Sequence, residues 1–325
     1  MPAHEPAKLA CGGISRRGPA VAPDMKAIAL QEYGSADDLR LAELPDPKVG
    51  PGEVLVRVKA AGVNPVDWKL AAGGLDGLME VRFPLVPGWD VAGVVEKVGF
   101  DSGEFAVGDE VFGYVRKDWV QQGAYAELVT ANVRMLAKKP RSLDFAQAAG
   151  VPLAGQTAYR SLKRVGLRAG ETVLIHAAAG GVGSFGTQIA VALGARVIGT
   201  ASERNHDYLR ELGAEPVTYG EGLADRLREL GPIDAAVDFV GGDAVEVSRE
   251  FVSRDRIASI ANPEVGAHGY VWVRPDGAEL AELASLADEG KLTVHVERTF
   301  PLAEAADAWR LSRQGRTRGK IVLTV

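Results

Sequence analysis

The residues with the clearest chemical meaning form a glycine-rich segment in the middle of the chain. It runs Ala177-Ala-Ala-Gly180-Gly181-Val182-Gly183-Ser-Phe-Gly186 and contains Gly-x-Gly-x-x-Gly from Gly181. It follows a predicted strand and opens a predicted helix, which is the context that this motif requires. Its glycines let a pyrophosphate approach the backbone, and the helix N-terminus offers N–H groups and the positive end of its dipole. The segment predicts a dinucleotide site at Gly180, Gly181, Val182 and Gly183; the alternative is a plain strand–helix turn.

A second polar group follows the next predicted strand and bears on which dinucleotide binds. That strand ends Thr200-Ala-Ser202-Glu203-Arg204, and its end lacks the carboxylate that holds the ribose 2′-hydroxyl of NAD. Ser202 can donate a hydrogen bond to a 2′-phosphate, and Arg204 can add a charge-assisted one. The pattern predicts NADP(H) as the cofactor, with Ser202 and Arg204 at its 2′-phosphate and Thr200 as a further cofactor-binding residue. The alternative is that Glu203 binds the ribose in the NAD manner.

Alternating strands and helices surround the glycine segment. The predicted strands cover 172–177, 196–200, 216–219, 235–240 and 256–261, and the predicted helices cover 184–193, 205–212, 223–229 and 244–252. This alternation implies right-handed crossovers and a parallel sheet. Continuous apolar strands such as Val173-Leu-Ile fit burial on both faces of that sheet.

The flanking segments have a different pattern. From Met25 to about Gln147 the chain shows short strands and turns, typical of a partly closed β-barrel. After residue 273 it shows a helix at 278–288 and a closing strand at 320–325. A chain of 325 residues is too long for one core. We therefore predict an α/β protein in which a doubly wound parallel-sheet domain, 148–273, is inserted between two pieces of a β-rich domain, 25–147 and 274–325. Residues 1–24 are predicted to be a disordered extension.

Composition narrows the classes of function. The chain is 46% apolar and 25% charged, which is ordinary for a globular protein. Its net charge of −6 argues against nucleic acid or an anionic membrane as a partner, and no stretch has the length and apolarity of a membrane span. The single cysteine, Cys11, excludes an internal disulfide and a thiolate metal cage, and it favours a cytoplasmic protein.

Five segments in order resemble the medium-chain dehydrogenase/reductase superfamily, and within it the zinc-independent quinone oxidoreductase branch related to zeta-crystallin. They are 61–69, 87–93, 151–159, 177–186 and 318–323, so the resemblance extends from about Met25 to Val325. It implies a GroES-like catalytic domain beside a Rossmann-type domain. Zinc-dependent relatives carry Cys, His and Cys where this chain has Asn64, Trp89 and Leu153, so the resemblance implies no catalytic metal. It implies hydride transfer from NADPH to a quinone or an α,β-unsaturated carbonyl.

The resemblance also supplies the candidate catalytic residues. Asn64 stands where a zinc ligand would face the substrate, so it is the first candidate donor to a developing oxyanion; the alternative is a buried amide that fixes its own loop. Lys69 is the second candidate, to orient the cofactor or donate a proton; the alternative is a solvated lysine at the cleft mouth. Thr157 is expected near the nicotinamide, with a helix cap or core hydroxyl as the alternative.

Aromatic and strand-end residues complete the predicted site. Trp68 and Trp89 form the walls of a slot for a flat substrate, or else pack structurally. Tyr219 stacks on adenine or contacts the 2′-phosphate, unless it is a strand-end tyrosine with a hydrated hydroxyl. By resemblance, Phe239 and Val240 lie along the nicotinamide half of the cofactor. Three cations, Arg316, Arg318 and Lys320, form a basic tail that either reaches the cofactor or is a solvated face.

Three functions stay open on this pattern. The first is an NADPH-dependent reductase of small quinones or enones, and the second is a reductase of enoyl thioesters. The third is an NADPH-binding structural or regulatory protein with negligible turnover, because a fold does not determine a function. The segment Tyr270-Val-Trp-Val-Arg274 is an apolar edge strand that should not stay bare in solvent. It predicts a homodimer joined at this edge.

Overall fold

Short strands dominate the N-terminal half, as its alternating pattern predicts. The computed structural model describes residues 24–325, so the predicted extension and Cys11 lie outside the described residues, except for the backbone of Asp24. Strand β3 pairs antiparallel with β4 and β6, and β4 continues through β5 to β7, while β1 and β2 pair with each other. The bounds are β1 (Asp24–Ala29), β2 (Arg40–Pro45), β3 (Glu53–Val63), β4 (Asp90–Val98), β5 (Glu110–Tyr114), β6 (Leu128–Asn132) and β7 (Leu136–Lys138).

A short helix that the sequence analysis did not predict, α1 (Pro65–Ala71), follows β3 directly. Pro65 stands in its first turn, where the fixed φ of proline suits a helix start and its missing N–H costs no bond. The side chain of Asp67 accepts the N–H of Asn64 at 2.8 Å and holds the turn into the helix. With seven residues, α1 is too short to show a helical period in the sequence. This corner places Asn64 at the N-cap of α1 and Lys69 in its last turn, directly after β3.

The middle of the chain forms the predicted parallel sheet, with strand order β10-β9-β8-β11-β12. Its strands are β8 (Thr172–His176), β9 (Arg196–Ala201), β10 (Glu215–Thr218), β11 (Ala235–Asp238) and β12 (Ile257–Ser259). The helices of this part are α2 (Phe145–Ala149), α3 (Pro152–Arg164), α4 (Gly183–Ala192), α5 (His206–Glu211), α6 (Leu223–Glu229), α7 (Ala244–Arg249) and α8 (Gly266–Gly269). The chain moves outward from β8 to β10 and then returns to β11 on the other side, so β8 and β11 meet at a topological switch point.

The tail returns to the first sheet. Helix α9 (Gly277–Asp288) packs near β7 and α3, and α10 (Ala305–Arg313) lies between the last two strands in sequence, β13 (Val296–Pro301) and β14 (Lys320–Thr324). Strand β14 pairs antiparallel with β3, and β13 pairs parallel with β14. The sheet order β13-β14-β3-β4-β5-β7 thus combines strands from both ends of the chain. The exact domain boundaries at 147 and 274 stay a prediction.

Apolar packing explains how the parts hold together. Val173 and Ile175 belong to a large buried cluster that continues into the β-rich part, for example to Trp309, whereas Leu174 belongs to a smaller cluster under α6 and α7. Both faces of β8 are therefore buried, as its continuous apolar sequence predicts. The segment at 270–273 forms only an isolated bridge, between Ser259 and Tyr270, rather than the strand that the sequence analysis expected. Within residues 24–325, no helix has the length and apolarity needed to cross a membrane.

Candidate active site

A cleft of about 610 Å³ lies between the β-rich part and the parallel sheet. It sits at the carboxyl ends of β8 and β11, where open parallel sheets bind their ligands. The predicted site residues in its wall are Asn64, Lys69, Trp89, Thr157, Gly180, Gly181, Val182, Gly183, Phe239 and Val240. The structure thus brings together residues from the β3–α1 corner, the glycine segment and the end of β11.

The glycine segment turns sharply between β8 and α4. A Cβ atom at Gly183 would lie 2.2 Å from the carbonyl oxygen of Ala177, so only glycine allows the helix to start this close to the strand end. Ala177 itself has a φ of 55°, which is rare for a residue with a side chain. Among the described residues, no side chain caps the start of α4; the N–H of Ser184 donates to the carbonyl of Gly180 at 3.0 Å, and the N–H of Gly183 before it is left for another acceptor. This geometry fits a pyrophosphate.

The C-terminal tail docks on the same segment. The N–H of Gly319 donates to the carbonyl of Ala179 at 3.1 Å, and a Cβ at Gly181 would lie 3.2 Å from the Gly319 carbonyl oxygen. The tail therefore forms one side of the phosphate loop, which the glycine motif alone did not indicate.

The predicted 2′-phosphate residues lie at the end of β9, outside the wall of the cleft. Thr200 is buried, and its hydroxyl accepts the N–H of Ala177 at 3.0 Å, so it braces the glycine segment. Ser202 accepts a weak hydrogen bond of 3.4 Å from the side chain of Asn205. The guanidinium of Arg204 is exposed and donates to the carbonyl of Arg316 at 2.8 Å. The Arg204 guanidinium, held by this bond two residues after Ser202, is suited to binding an anion.

Arg318 joins this group from the tail. Its guanidinium packs over the ring of Tyr208 at 5.3 Å, donates to the side chain of Asn205 at 3.0 Å and donates to the carbonyl of Arg204 at 3.1 Å. The sequence predicts that the basic tail either reaches the cofactor region or is a solvated face. Arg318 fits the first prediction, because it contacts the residues that follow β9. Tyr219 is 59% exposed, so its ring offers a free face near the end of β10.

The end of β11 is held by a carboxylate. Asp238 is buried and accepts the N–H groups of Val240 and Gly241, both at 2.8 Å, and the hydroxyl of Ser259 at 2.7 Å. These bonds set Phe239 and Val240 in the cleft wall. On the opposite side, the Thr157 hydroxyl donates to the Leu153 carbonyl at 2.6 Å, as the core-hydroxyl alternative expected, and keeps only an acceptor for a ligand.

Asn64 is the most constrained polar side chain of the cleft. It is 4% exposed, and its amide nitrogen donates to Asp90 at 2.8 Å. Its amide oxygen accepts from Lys320 at 2.5 Å. Asn64 therefore combines features of both predictions: it is a buried amide that its neighbours hold in place, and it also lines the cleft, where a donor to the substrate would stand.

Lys69 and Trp68 are neighbours in α1 but have different surroundings. Lys69 is exposed and lines the cleft, with its ammonium 5.5 Å from the centre of the Trp68 ring. Trp68 does not line the cleft: its indole N–H donates to the Ser312 hydroxyl at 3.2 Å, and the guanidinium of Arg313 lies 5.6 Å from its ring. The expected slot wall at Trp68 is thus replaced by packing against α10, because neighbouring residues on a helix point in different directions.

Tyr114 takes the place that the sequence analysis gave to Trp68. It ends β5, lines the cleft and packs against Trp89 with ring centres 5.9 Å apart. The guanidinium of Arg116 lies 5.8 Å from the Tyr114 ring and 6.0 Å from the Trp89 ring. Burial raises the pKa of Tyr114 well above its usual range, so its hydroxyl stays protonated and able to donate. The sequence carried no local signal for this residue.

The chain resembles named proteins over most of its length. It is 34% identical over 313 residues to the chloroplastic NADPH-dependent alkenal/one oxidoreductase of Arabidopsis thaliana, covering 92% of this chain and 79% of that protein. It is 30% identical over 324 residues to the chloroplast envelope quinone oxidoreductase homolog of the same plant, covering 92% and 98%. Residues 50–141 match the family model described as alcohol dehydrogenase GroES-like domain, and residues 212–323 match zinc-binding dehydrogenase. The chain belongs to the zinc-independent quinone oxidoreductase branch of the medium-chain dehydrogenase/reductase superfamily.

Solved structures agree with this assignment. The quinone oxidoreductase from Coxiella burnetii has a TM-score of 0.82 and 33% identity, covering 93% of this chain and 99% of that one. A mycobacterial protein solved in complex with NADPH has a TM-score of 0.78 and 32% identity, covering 93% and 100%. The predicted fold class, a GroES-like unit with a Rossmann-type parallel-sheet unit, is confirmed, and so is the branch.

The zinc independence of this oxidoreductase branch is visible at three positions. Asn64, Trp89 and Leu153, which replace the zinc ligands of relatives, all line the cleft. Zinc in proteins is bound by Cys, His or carboxylate side chains, and these three are none of those. Across residues 24–325, no group of three or more His, Cys, Asp or Glu side chains is placed to hold a metal ion. The three positions offer a hydrogen bond and apolar surface instead.

Buried charge lies behind Asn64 in this oxidoreductase. Burial raises the pKa of Asp67 to about 7 and that of Asp90 to about 6. Lys320 is 4% exposed and lies 4.0 Å from Asp90. Burial lowers the pKa of Lys320, while the two carboxyls act against that change. The sequence pattern places Lys320 in a basic tail and does not indicate this role, because lysine is almost never fully buried and nothing near it in sequence indicates an exception.

Proposed function

We propose that this chain is an NADPH-dependent oxidoreductase that transfers hydride to a small quinone or α,β-unsaturated carbonyl without a catalytic metal. The observation that carries the proposal is that one cleft is lined both by a dinucleotide-type glycine segment and by Asn64, a hydrogen-bonding side chain at a former zinc-ligand position. The relatives named as alkenal/one oxidoreductase and quinone oxidoreductase support the same chemistry.

The glycine segment and the end of β9 fit the cofactor. The backbone from Gly180 to Gly183 would hold the pyrophosphate at the start of α4. Ser202, Arg204 and Arg318 would hold the 2′-phosphate, since a guanidinium pairs strongly with phosphate. When bound, NADPH supplies the hydride, and the protein's part is to bind, orient and stabilise charge. The mycobacterial neighbour in complex with NADPH supports this choice of cofactor.

The opposite side of the cleft fits the acceptor. A quinone or enone that accepts hydride develops negative charge on its conjugated oxygen, and a fixed donor stabilises that charge. Asn64 is the proposed donor, because it is buried and its amide is held in place. Trp89 and Tyr114 would exclude water and pack on a flat ring. Lys69 at the exposed mouth is proposed to orient the cofactor or supply a proton.

The assembly and the cellular location are also proposals. We infer a homodimer joined along 270–274, supported by Trp272, which is 45% exposed, and by a segment that contacts β12 through an isolated bridge. An exposed apolar side chain of this kind favours burial against a second copy. A cytoplasmic location is proposed from the single cysteine, because a reducing compartment does not require disulfides.

The test is NADPH oxidation against a panel of quinones, enones and enoyl thioesters, with EDTA present. The proposal expects turnover that the chelator does not reduce and that falls in Asn64→Ala and Lys69→Ala variants. A preference for enoyl thioesters would move the substrate to the second class considered above. Silence across the panel with tight NADPH binding, unchanged in both variants, would instead support a binding protein.

A further inference from the structure

Lys320 is a buried cation that crosses from the phosphate loop to the acceptor side of the cleft. It begins β14 and is 4% exposed. Its aliphatic stem lies so close to Gly150 and Gly181 that a Cβ at either position would be 3.3 Å from a Lys320 carbon. Its ammonium donates to the amide oxygen of Asn64 at 2.5 Å and to the carbonyl of Val63 at 3.3 Å. The glycine segment and Asn64 therefore contact the same residue, Lys320.

The contacts of Lys320 and Asp90 decide which way the Asn64 amide faces. An ammonium has only donors, so it requires the amide oxygen, and an ionised carboxylate has only acceptors, so it requires the amide nitrogen. Asp90 is itself fixed, because its other oxygen accepts the N–H of Leu153 at 2.8 Å. One of the two amide N–H bonds is used by Asp90. The second remains for a ligand in the cleft that Asn64 lines.

We propose that Lys320 is a positioning residue, which fixes the orientation of the Asn64 amide and strengthens its free N–H as a donor to the acceptor's oxygen. A cation on the amide oxygen draws electron density from the nitrogen, so the N–H becomes a better donor, as in other polarised hydrogen-bond chains. The inference rests on the proposed function, in which that oxygen becomes negative during hydride transfer.

Burial lowers the pKa of Lys320, and two carboxyls act against that change. Asp90 lies 4.0 Å from the ammonium and Asp67 is the second carboxyl, so both favour the cationic form. Asp67 accepts the N–H of Asn64 and the hydroxyl of Tyr125, at 2.8 and 2.9 Å, so it holds the backbone under the same amide. Removal of the Lys320 charge would leave two buried carboxyls without their cation and would leave the Asn64 amide without the contact to its oxygen that, with the Asp90 bond to its nitrogen, fixes its orientation.

The test uses Lys320→Met, which keeps a long apolar stem beside Gly181 and removes the charge, in the wild type and in an Asn64→Ala background. Loss of one oxyanion donor costs about 100-fold or more in kcat, and we expect Lys320→Met to lower kcat about tenfold because it weakens that donor without deleting it. KM for NADPH should stay unchanged. In the Asn64→Ala background, Lys320→Met should lower kcat no further, since contacting residues that act through one another are not additive.

A binding measurement gives a second readout. In the presence of NADP⁺, 4-nitrophenolate serves as a stable mimic of the oxyanion and nitrobenzene as its neutral control. We expect Lys320→Met to weaken 4-nitrophenolate about tenfold and to leave nitrobenzene unchanged. Equal weakening of both probes, or a further loss of kcat in the Asn64→Ala background, would show that Lys320 acts only on the fold and would overturn the inference.

Two controls separate the possible failures. Lys320→Gln keeps a hydrogen-bond donor without the charge, so it should fold and should lower kcat and phenolate binding less than Lys320→Met does. If a folded Lys320→Gln protein loses as much kcat and phenolate binding as Lys320→Met, the charge of Lys320, rather than its donor alone, acts on Asn64. If the wild type turns over no acceptor at all, the proposed function fails. The Lys320 inference is then judged by the phenolate–nitrobenzene comparison alone.

Discussion

The replacement Arg204→Ala tests the choice of cofactor most directly. Arg204 follows β9, is exposed, and donates to the Arg316 carbonyl at 2.8 Å. Ser202 lies two residues before it, and Arg318 donates to the Arg204 carbonyl. A guanidinium in this place is expected to pair with the 2′-phosphate of NADPH, which NADH lacks.

The size of the effect follows from the exposure of Arg204. A hydrogen bond to a charged group contributes about 1.5–3 kcal/mol, and solvent and salt reduce the value for an exposed pair toward or below the lower end. We therefore expect Arg204→Ala to raise the Kd of NADPH about tenfold. The Kd of NADH should change less than about twofold, and the NADPH effect should shrink as KCl is added.

The assay is titration of each nucleotide by quenching of protein fluorescence, with kcat/KM for both cofactors beside it. The matched control is Arg210→Ala, which removes the same charge from an exposed arginine nearby that is paired with Asp207 at 2.7 Å. Equal weakening of NADPH and NADH by Arg204→Ala would refute the assignment. A loss of NADPH affinity in Arg210→Ala as large as in Arg204→Ala would show that net charge, and not a specific contact, is responsible.

Four further outcomes are expected. Gly183→Ala, which brings a Cβ to 2.2 Å from a carbonyl oxygen, should lower both Tm and NADPH affinity, measured by thermal unfolding with and without cofactor; an unchanged Tm contradicts the close packing. Burial lowers the pKa of His176 from 6.5 to about 4, so the unfolded chain binds that proton first and this group should lower stability by about 3 kcal/mol from pH 6.5 to 4. Asp67 and Asp90, whose pKa values burial raises, act in the opposite direction, so the effect is measured as a difference: relative to the wild type, His176→Gln should gain about 3 kcal/mol in urea unfolding across that range, and a constant difference would contradict the prediction. Because burial raises the pKa of Asp90 to about 6 and the ionised carboxylate is the stronger acceptor for the Asn64 amide, kcat should fall below about pH 6, and a flat profile there would argue against this contact. Light scattering should give a dimer for the wild type and a monomer for Trp272→Asp; a monomeric wild type excludes the proposed interface.

The pattern of the sequence predicts most of the parallel sheet and the site of its phosphate loop. Five apolar runs separated by helical periods correspond to β8–β12, and the expected strand at 256–261 is shortened to Ile257–Ser259. These signals are local, since apolar periodicity and glycine spacing act within one strand, turn or helix. Helix α1 was missed because seven residues that follow a strand carry too little periodicity.

The acceptor side of the cleft depended on the tertiary structure. Asn64 was predicted from a family position, but its partners could not be, because Lys320 lies 256 residues away in sequence. Trp68 packs on α10 rather than on the cleft, and Tyr114 stands beside Trp89 instead.

The sequence by itself determined the alternating fold, the glycine segment, the missing zinc ligands and the family. Only the tertiary structure decided which side chains share the cleft and which charges are buried together. The reason is physical: strand, helix and turn formation depend mainly on neighbours along the chain, whereas the burial of Lys320 between Asn64 and Asp90 depends on strands β3, β4 and β14 meeting in one sheet.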